Sequence, residues 1–333
     1  MGVSMSIKNS LKNKKIIVTG GAGFIGSHLV KKLLELNNQI VVLDNLSSGF
    51  LENVPVHSQL TFINGDVRDF RLIKKLVENS DVIFHLAEFI PNTRQFGPGH
   101  IVKFSMENPI LDLDICVKGT LNVLEAAKEA NVKVVFTSSA AVYGNPVEIP
   151  IKETTPANPV SCYGASKLAA ESYCKVYIKT HNLPVVTVRL FNVYGPRQRK
   201  YFIYDVLSKL GKNPNALEIL GSGDQERDFI YVDDAVEGLI LLSVKEEAIS
   251  QIFNLGTGIS IPIKEVVKHI TRILGVEPVV TYTGSSWKGD VDVLVADSTK
   301  MSRIRFTPKY SLEQGIKKVV SWYQQAENLF EAF

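Results

Sequence analysis

Cysteine is scarce in this chain. There are three, Cys116, Cys162 and Cys174, odd in number and never spaced as a Cys-x-x-Cys pair. That excludes a disulfide framework and a cysteine-bound structural zinc, and it fits a reducing compartment. Long apolar runs are missing as well. None reaches the roughly 18 residues of a membrane-spanning helix, and the first fourteen residues lack the apolar stretch of a secretion signal. The expected location is therefore the cytoplasm, with no membrane partner. Nor is there an excess of one charge: 37 Lys and Arg against 34 Asp and Glu leave a net +3, too mild and too dispersed to imply a nucleic-acid partner. The histidines, His28 and His85 among them, show no paired ligand spacing, so they read as packing or hydrogen-bonding residues and no metal is expected. Internal repeats and low-complexity tracts are absent too.

What the chain does have is an ordinary globular balance in 333 residues, enough to bury a core without staples as one large domain or two closely joined ones. Its first half alternates short apolar runs with helical patterns. Strands are expected at Lys15–Thr19, Gln39–Asp44, Leu60–Ile63, Val82–Leu86, Val132–Thr137 and Val185–Leu190. Helices are expected from about Ile25 to Leu36, through Arg71–Glu78, over roughly Asp112–Ala130, and at Tyr163–His181. Continuously apolar strands separated by helices imply an α/β fold: a Rossmann-type, doubly wound parallel sheet covered on both faces. After Asn192 the pattern loosens. A helix near Asp234–Val244, a strand at Gln251–Leu255 and helices at Ile263–Leu274 and Leu312–Glu327 are the clear signals. The expected division is a nucleotide-binding part at 1–192 and a smaller α/β substrate lobe at 193–333, some of whose elements fold back onto the sheet. Phe89–Pro109 reads as a long loop, and such loops are commonly functional or mobile.

The turn after the first strand is Gly20-Gly21-Ala22-Gly23-Phe24-Ile25-Gly26. Gly20 permits the tight turn, Gly23 a close backbone approach to a pyrophosphate, and Gly26 tight packing of helix on strand. The helix N-terminus would then offer free N–H groups to the phosphates. Asp44, at the end of the second strand and 18 residues past Gly26, can accept from both ribose hydroxyls and repels a 2′-phosphate, which selects NAD over NADP. Asp66 ends the third strand. It reads as an adenine-edge residue, as the cap of the next helix, or as both.

Tyr163 and Lys167 are spaced i, i+4 and share a helix face. A neighbouring ammonium favours the phenolate, so Tyr163 is expected to be a tyrosine of lowered pKa, able to exchange a proton with a sugar hydroxyl. Ser139 lies in the run Thr137–Gly144 at the end of the fifth strand, where it can hold the reacting oxygen. Arg197-Gln198-Arg199-Lys200 reads equally as a solvated loop or a phosphate clamp. Asp233-Asp234 reads as a helix cap. Trp322, Tyr323 and Val319 read as core or subunit contacts.

Together these motifs resemble the extended short-chain dehydrogenase/reductase family, and within it the nucleotide-sugar 4-epimerases of the UDP-glucose 4-epimerase type. The likeness runs through Val18–Gly26, Asp44–Leu46, His85–Ala87, Gly119–Ala127, Ser138–Gly144, Tyr163–Lys167, Arg189–Pro196, Arg227–Asp234 and Asn254–Gly258, nearly the whole chain. It implies that Tyr163 takes the proton of a sugar 4-hydroxyl while NAD accepts the C4 hydride. Ser139 steadies that oxygen, and Lys167 holds the nicotinamide ribose and tunes Tyr163. The 4-ketose then turns in the pocket and is reduced on its other face.

The resemblance implies cofactor contacts from Gly20, Gly23, Phe24, Ile25, Asp44, Asn45, Leu46, Ser48, Gly49, Asp66, Val67, Leu86, Ala87, Tyr163, Lys167 and Phe191. It implies contacts to a nucleotide sugar, UDP-linked by analogy, from Ser139, Tyr163, Asn192, Arg199, Arg227 and Asp290. It also implies a homodimer. A dehydratase, decarboxylase or reductase on the same substrate class is the second reading. Dehydratases of the family carry an Asp-Glu pair where this chain has Ala140 and Ala141, which cannot move a proton. A non-catalytic NAD-binding regulator is the third, and an intact Ser139, Tyr163 and Lys167 argue against it.

Four positions set the chain apart. Glu88 stands where the family has an alanine, followed by an extended Phe89–Lys103 stretch that reads as a determinant of sugar preference or a lid. Cys116 replaces an asparagine that touches the cofactor. Trp287 replaces a phosphate-gripping arginine, for which Arg197 or Arg199 can substitute. Leu294 falls at a gatekeeper position where some members have tyrosine, so a wider pocket that admits an N-acetylated sugar is expected.

Overall fold

The computed structural model describes residues 10–88, 101–285 and 291–330, with side chains as far as 326. The chain opens with β1 (Lys15–Thr19), passes through the glycine turn into α1 (Phe24–Glu35), and returns as β2 (Gln39–Asp44). β3 (Leu60–Asn64), α2 (Phe70–Val77) and β4 (Val82–His85) follow. Next come α3 (Ile101–Glu107), α4 (Pro109–Leu113), a π-helical turn at Asp114–Lys118, and α5 (Gly119–Ala130). β5 (Lys133–Ser139), α6 (Cys162–His181) and β6 (Val185–Leu190) complete the alternation. Beyond it lie α7 (Tyr201–Lys212), α8 (Val232–Val244) and β7 (Ile252–Leu255).

These strands form one seven-stranded sheet in the order β7-β6-β5-β4-β1-β2-β3, parallel throughout. Side chains alternate across it as extended backbone requires. Ile16 and Val18 enter one buried cluster with Leu29 and Val30 of α1 and Leu239 of α8. Ile17 enters the other with Ile73 of α2, Leu124 of α5 and Cys174 of α6. Both faces are covered, which is why the strands read as unbroken apolar runs. The chain winds outward from β1 through β2 to β3, then returns to place β4 on the other side of β1. The order therefore reverses between β1 and β4, and the crevice beyond the carboxyl ends of these strands is where this kind of sheet holds a ligand.

β7 and α8 come from the later part of the chain, yet both belong to this sheet and its helical cover. Three small sheets stand over the crevice. They pair Asn192–Tyr194 with Phe229–Tyr231, Glu226–Arg227 with Ile261–Pro262 and Val293–Leu294, and Ala216–Ile219 with Val279–Tyr282.

Two expectations need correction. The end of the supposed 89–109 loop is helical, as α3 and the start of α4, so the helical run expected from Asp112 begins earlier; residues 89–100 lie outside the described residues. A helix was also missed at Tyr201–Lys212. Its buried Ile203, Val206, Leu207 and Leu210 follow i, i+3, i+4, i+7 spacing, a signal masked by the glycines, prolines and charges on either side.

Candidate active site

The turn between β1 and α1 has no room for a side chain at Gly20 or Gly26. Gly20 adopts φ +72°, and a Cβ there would sit 2.8 Å from the backbone nitrogen of Ala87. A Cβ on Gly26 would lie 2.1 Å from the carbonyl oxygen of Gly20. The spacing of these glycines thus presses α1 against the turn. Gly23, in extended conformation, is the cap residue of α1, and among the described residues no side chain makes a capping hydrogen bond at that helix N-terminus. Asp44 stands beside it, 8% exposed, receiving the N–H groups of Ala22 at 3.0 Å and Leu46 at 2.8 Å on separate oxygens. Burial raises its pKa while these two donors hold it down. Each oxygen keeps a lone pair for a ribose hydroxyl. The cradle therefore fits a dinucleotide that carries a free 2′-hydroxyl.

Asp66 takes three hydrogen bonds from Arg68 and one from Asn45, and Arg68 holds it down to about 2. The helix-cap reading of Asp66 is wrong. α2 is capped by Asp69, whose carboxylate accepts from Leu72 N–H at 3.1 Å.

The cradle opens into a cleft of about 640 Å³ that runs from Gly20 past Tyr163 to Arg227. Of the expected cofactor contacts, all but Leu46 and Gly49 line it. Those two support the wall from behind, since Leu46 N–H binds Asp44 and a Cβ on Gly49 would meet Ala22. Ser139, Tyr163, Asn192, Arg199 and Arg227 also line it, as does Leu294 at the gatekeeper position. Asp290 and Trp287 lie outside the described residues. The Arg197–Lys200 stretch is neither a plain solvated loop nor free charge. Arg199 pairs with Glu52 and stacks 4.4 Å from the Phe50 ring centroid. Arg197 holds φ +69° with Nη1 buried and without a hydrogen-bond partner among the described residues. Burial brings the Lys200 ammonium down to about 7. Lys200, the end of that basic stretch, lies on the cleft wall, as does Tyr201, which was not singled out from the sequence.

At the centre, β5 ends on Ser139, whose Oγ accepts from Ala141 N–H at 3.2 Å and which lines the cleft together with Tyr163. α6 starts at the Ser161 cap and carries Tyr163 and Lys167 one turn apart. Gly164 between them is obligatory, because a Cβ there would come within 2.5 Å of Ala141 O. The α6 N-terminus is thus seated directly on the Ser139 loop. Lys167 Nζ donates to Thr137 O at 3.0 Å, lies 5.9 Å from the Tyr163 ring centroid, and forms a buried ion pair with Glu88.

The expected lowering of the Tyr163 pKa is not found. Burial raises it well above the ordinary tyrosine value, Lys167 opposes that rise, and Glu88 adds to it. Lys167 is held firmly protonated, with Glu88 as the chief favourable influence against its burial.

Behind this layer, burial keeps His85 neutral by lowering it to about 3. Thr120 gives its hydroxyl proton to Cys116 O, so it accepts from His85 Nε2–H, and His85 Nδ1 in turn accepts from Thr19. Ser138, Glu171 and Arg189 form a second buried set. Arg189 binds both Glu171 oxygens at 2.7 and 2.8 Å, and Ser138 adds a hydrogen bond at 2.6 Å. His28 binds Pro196 O and pairs with Asp233. The cap reading of Asp233-Asp234 also fails. Both lie in the first turn of α8, and Asp234 receives the N–H groups of Lys309 and Tyr310. Val319 is buried, and Trp322 and Tyr323 pack on Tyr204 of α7. Among the described residues no cluster suits a metal ion, and no helix is long and apolar enough to cross a membrane.

Residues 16–256 match the NAD dependent epimerase/dehydratase family. The chain is 38% identical to a putative UDP-glucose 4-epimerase of Methanocaldococcus jannaschii, covering 92% of this chain and 97% of that one. It is 32% identical to the dTDP-D-glucose 4,6-dehydratase of Mus musculus, covering 94% and 89%. Among solved structures, it superposes with TM-score 0.86 and 32% identity on the UDP-N-acetylglucosamine 4-epimerase of Methanobrevibacter ruminantium M1 in complex with UDP-N-acetylmuramic acid, covering 95% and 99%.

Proposed function

This chain belongs to the NAD dependent epimerase/dehydratase family, and from that premise we propose that it inverts C4 of a UDP-linked sugar through a transient 4-keto intermediate. The observation that carries the reading is the convergence of Ser139, Tyr163 and Lys167 on the cleft that the glycine cradle opens into. NAD, when bound, supplies the hydride acceptor and donor. The chain's own groups do the rest. Tyr163 carries the hydroxyl proton, Ser139 holds the reacting oxygen, and Lys167 holds the nicotinamide ribose and tunes Tyr163. Gly20, Gly23, Asp44 and Asp66 hold the dinucleotide. Asn192, Arg199, Arg227 and Asp290 grip the nucleotide sugar while the hexose turns.

Epimerisation is favoured over dehydration at two positions. Elimination of water needs an acid and a base beside Ser139, and Ala140 and Ala141 offer neither. Leu294, smaller than a tyrosine, leaves space for an N-acetyl group. The chain's working form in this reading is a cytoplasmic homodimer.

The test is turnover of UDP-galactose, UDP-glucose and their N-acetylhexosamine analogues by the purified enzyme, with products separated and identified. Inversion at C4 is expected. An alkali-absorbing keto product would instead mean dehydration and would replace this reading. Tyr163→Phe should lose about 10²–10⁴-fold in turnover while retaining NAD, and activity close to wild type would remove Tyr163 from its role. Turnover of hexoses with none of N-acetylhexosamines would dismiss the reading of Leu294.

A further inference from the structure

Glu88 and Cys116, two of the positions that depart from the family resemblance, meet each other in space. Glu88 follows β4, and its carboxylate, 6% exposed, pairs with the Lys167 ammonium, 4% exposed. Cys116 lies in the π-helical turn, buried, and the Glu88 carboxylate is near enough to add to the rise that burial gives its thiol pKa. π-Helical turns inside longer helical runs are frequent at functional sites, and here the turn carries the thiol. Lys167 is tied from its other side to Thr137 O. The remaining titratable groups around the pair are Tyr163 on α6, Asp112 on α4, Tyr201 on α7 and the neutral His85 on β4. Asp112 is bound through one oxygen by Ser166 at 2.6 Å.

We infer that Glu88, through its buried ion pair, is a positioning residue that anchors Lys167 and balances its charge, and so sets how readily Tyr163 gives up its proton. An isolated ammonium near a phenol in a dry site strongly favours the phenolate. A carboxylate in contact with that ammonium turns a full charge into a dipole, whose field at the phenol is far weaker. Burial then governs Tyr163, and the phenol stays protonated to a more alkaline pH than the Tyr-Lys spacing alone implies. The same carboxylate suppresses the thiolate of Cys116. This inference rests on the reading of Tyr163 as proton carrier, but its test does not depend on turnover.

The experiment compares wild type with Glu88→Gln in the absence of substrate. Tyr163 is titrated by phenolate absorbance, with Tyr163→Phe as the blank, and alkylation of Cys116 by iodoacetamide is mapped by peptide mass spectrometry. Loss of the carboxylate charge should lower the Tyr163 midpoint by about 1–3 pH units and speed alkylation of Cys116 at least several-fold at mildly alkaline pH. In turnover, the acid limb of the kcat profile should move to lower pH by the same amount. A Tyr163 midpoint that stays in place or rises in Glu88→Gln overturns the proposal. Wild type alone also decides it, should the variant fail to fold, because a wild-type midpoint well below the ordinary value of about 10 is incompatible with a balanced lysine. Normal epimerase turnover with an unmoved midpoint would reject this inference alone. No turnover with the expected midpoint shift would reject only the epimerase reading.

Discussion

Charge in the catalytic layer is decided by single side chains that never leave the protein interior, and Asp112 is a clear case. It is fully buried, one oxygen is held by Ser166, the other has no hydrogen-bond partner among the described residues, and burial raises its pKa to about 6. The folded value lies above the unfolded one near 3.8. Between these two pH values the folded protein therefore binds a proton that the unfolded chain does not. Stability should rise as pH falls through that window and level off below it. Ionised Asp112 is accordingly a cost at pH 8, and Asp112→Asn should remove it, stabilising the NAD-free protein there by up to about 3 kcal/mol. The difference should vanish near pH 4. Denaturant unfolding at both values measures it, and a variant equally destabilised at both would mean that Asp112 serves through its hydrogen bond alone.

The seating of one element on another explains which motifs are chemical and which are structural. Arg189 lies in a stretch that resembles the family pattern, yet neither it nor its partner Glu171 lines the cleft. They join β6 to α6 by a buried bidentate pair, with Ser138 of β5 as third member, and the Arg189 guanidinium stacks 4.6 Å from the Tyr143 ring centroid. This fixes the height of α6 above the sheet, and with it Tyr163 relative to Ser139. Arg189→Met should cost about 3–5 kcal/mol, because it leaves Glu171 charged and buried without its partner. Arg189→Met together with Glu171→Leu should recover most of that loss. Equal instability of the single and double variants, followed by thermal unfolding, would show that packing and not charge is at stake.

The same scale separates what the residue order discloses from what it hides. The parallel sheet is legible because strands buried on both faces are apolar at every position, and the cradle because glycine spacing reports close backbone contact. The lowered Tyr163 pKa misled because a spacing of four residues reports one neighbour of the phenol. Its charge balance depends on Glu88, 75 residues before it along the chain, and on burial, which no local pattern encodes. The Asp66 and Asp233-Asp234 cap readings failed for a related reason. A carboxylate near a helix start suits a cap, an ion pair or a tertiary clasp equally well, and only packing chooses among them.

At the scale of the whole molecule, one surface suits contact with a second chain. α3 and α4 pack on α6, and this helical layer leaves Met106, Ile110, Leu113, Tyr173 and Val176 exposed, Ile110 to 79% and Val176 to 50%. Tyr173 and Val176 are i, i+3 on α6, so they share a face. An apolar surface of this kind on a soluble domain commonly marks an interface, and a second copy is the occupant we propose, since a two-fold contact presents the same helices from both sides. The layer that would be covered also carries Tyr163 and Lys167, the proposed catalytic groups, on the inner side of α6. Dimerisation would thus brace the scaffold that holds Tyr163 against Ser139. Light scattering should find twice the chain mass for wild type. Val176→Glu, which places a charge on that face without touching the cleft, should yield monomers that melt several degrees lower and turn over more slowly. A wild-type monomer, or a Val176→Glu dimer of unchanged stability, would remove the second copy from this surface.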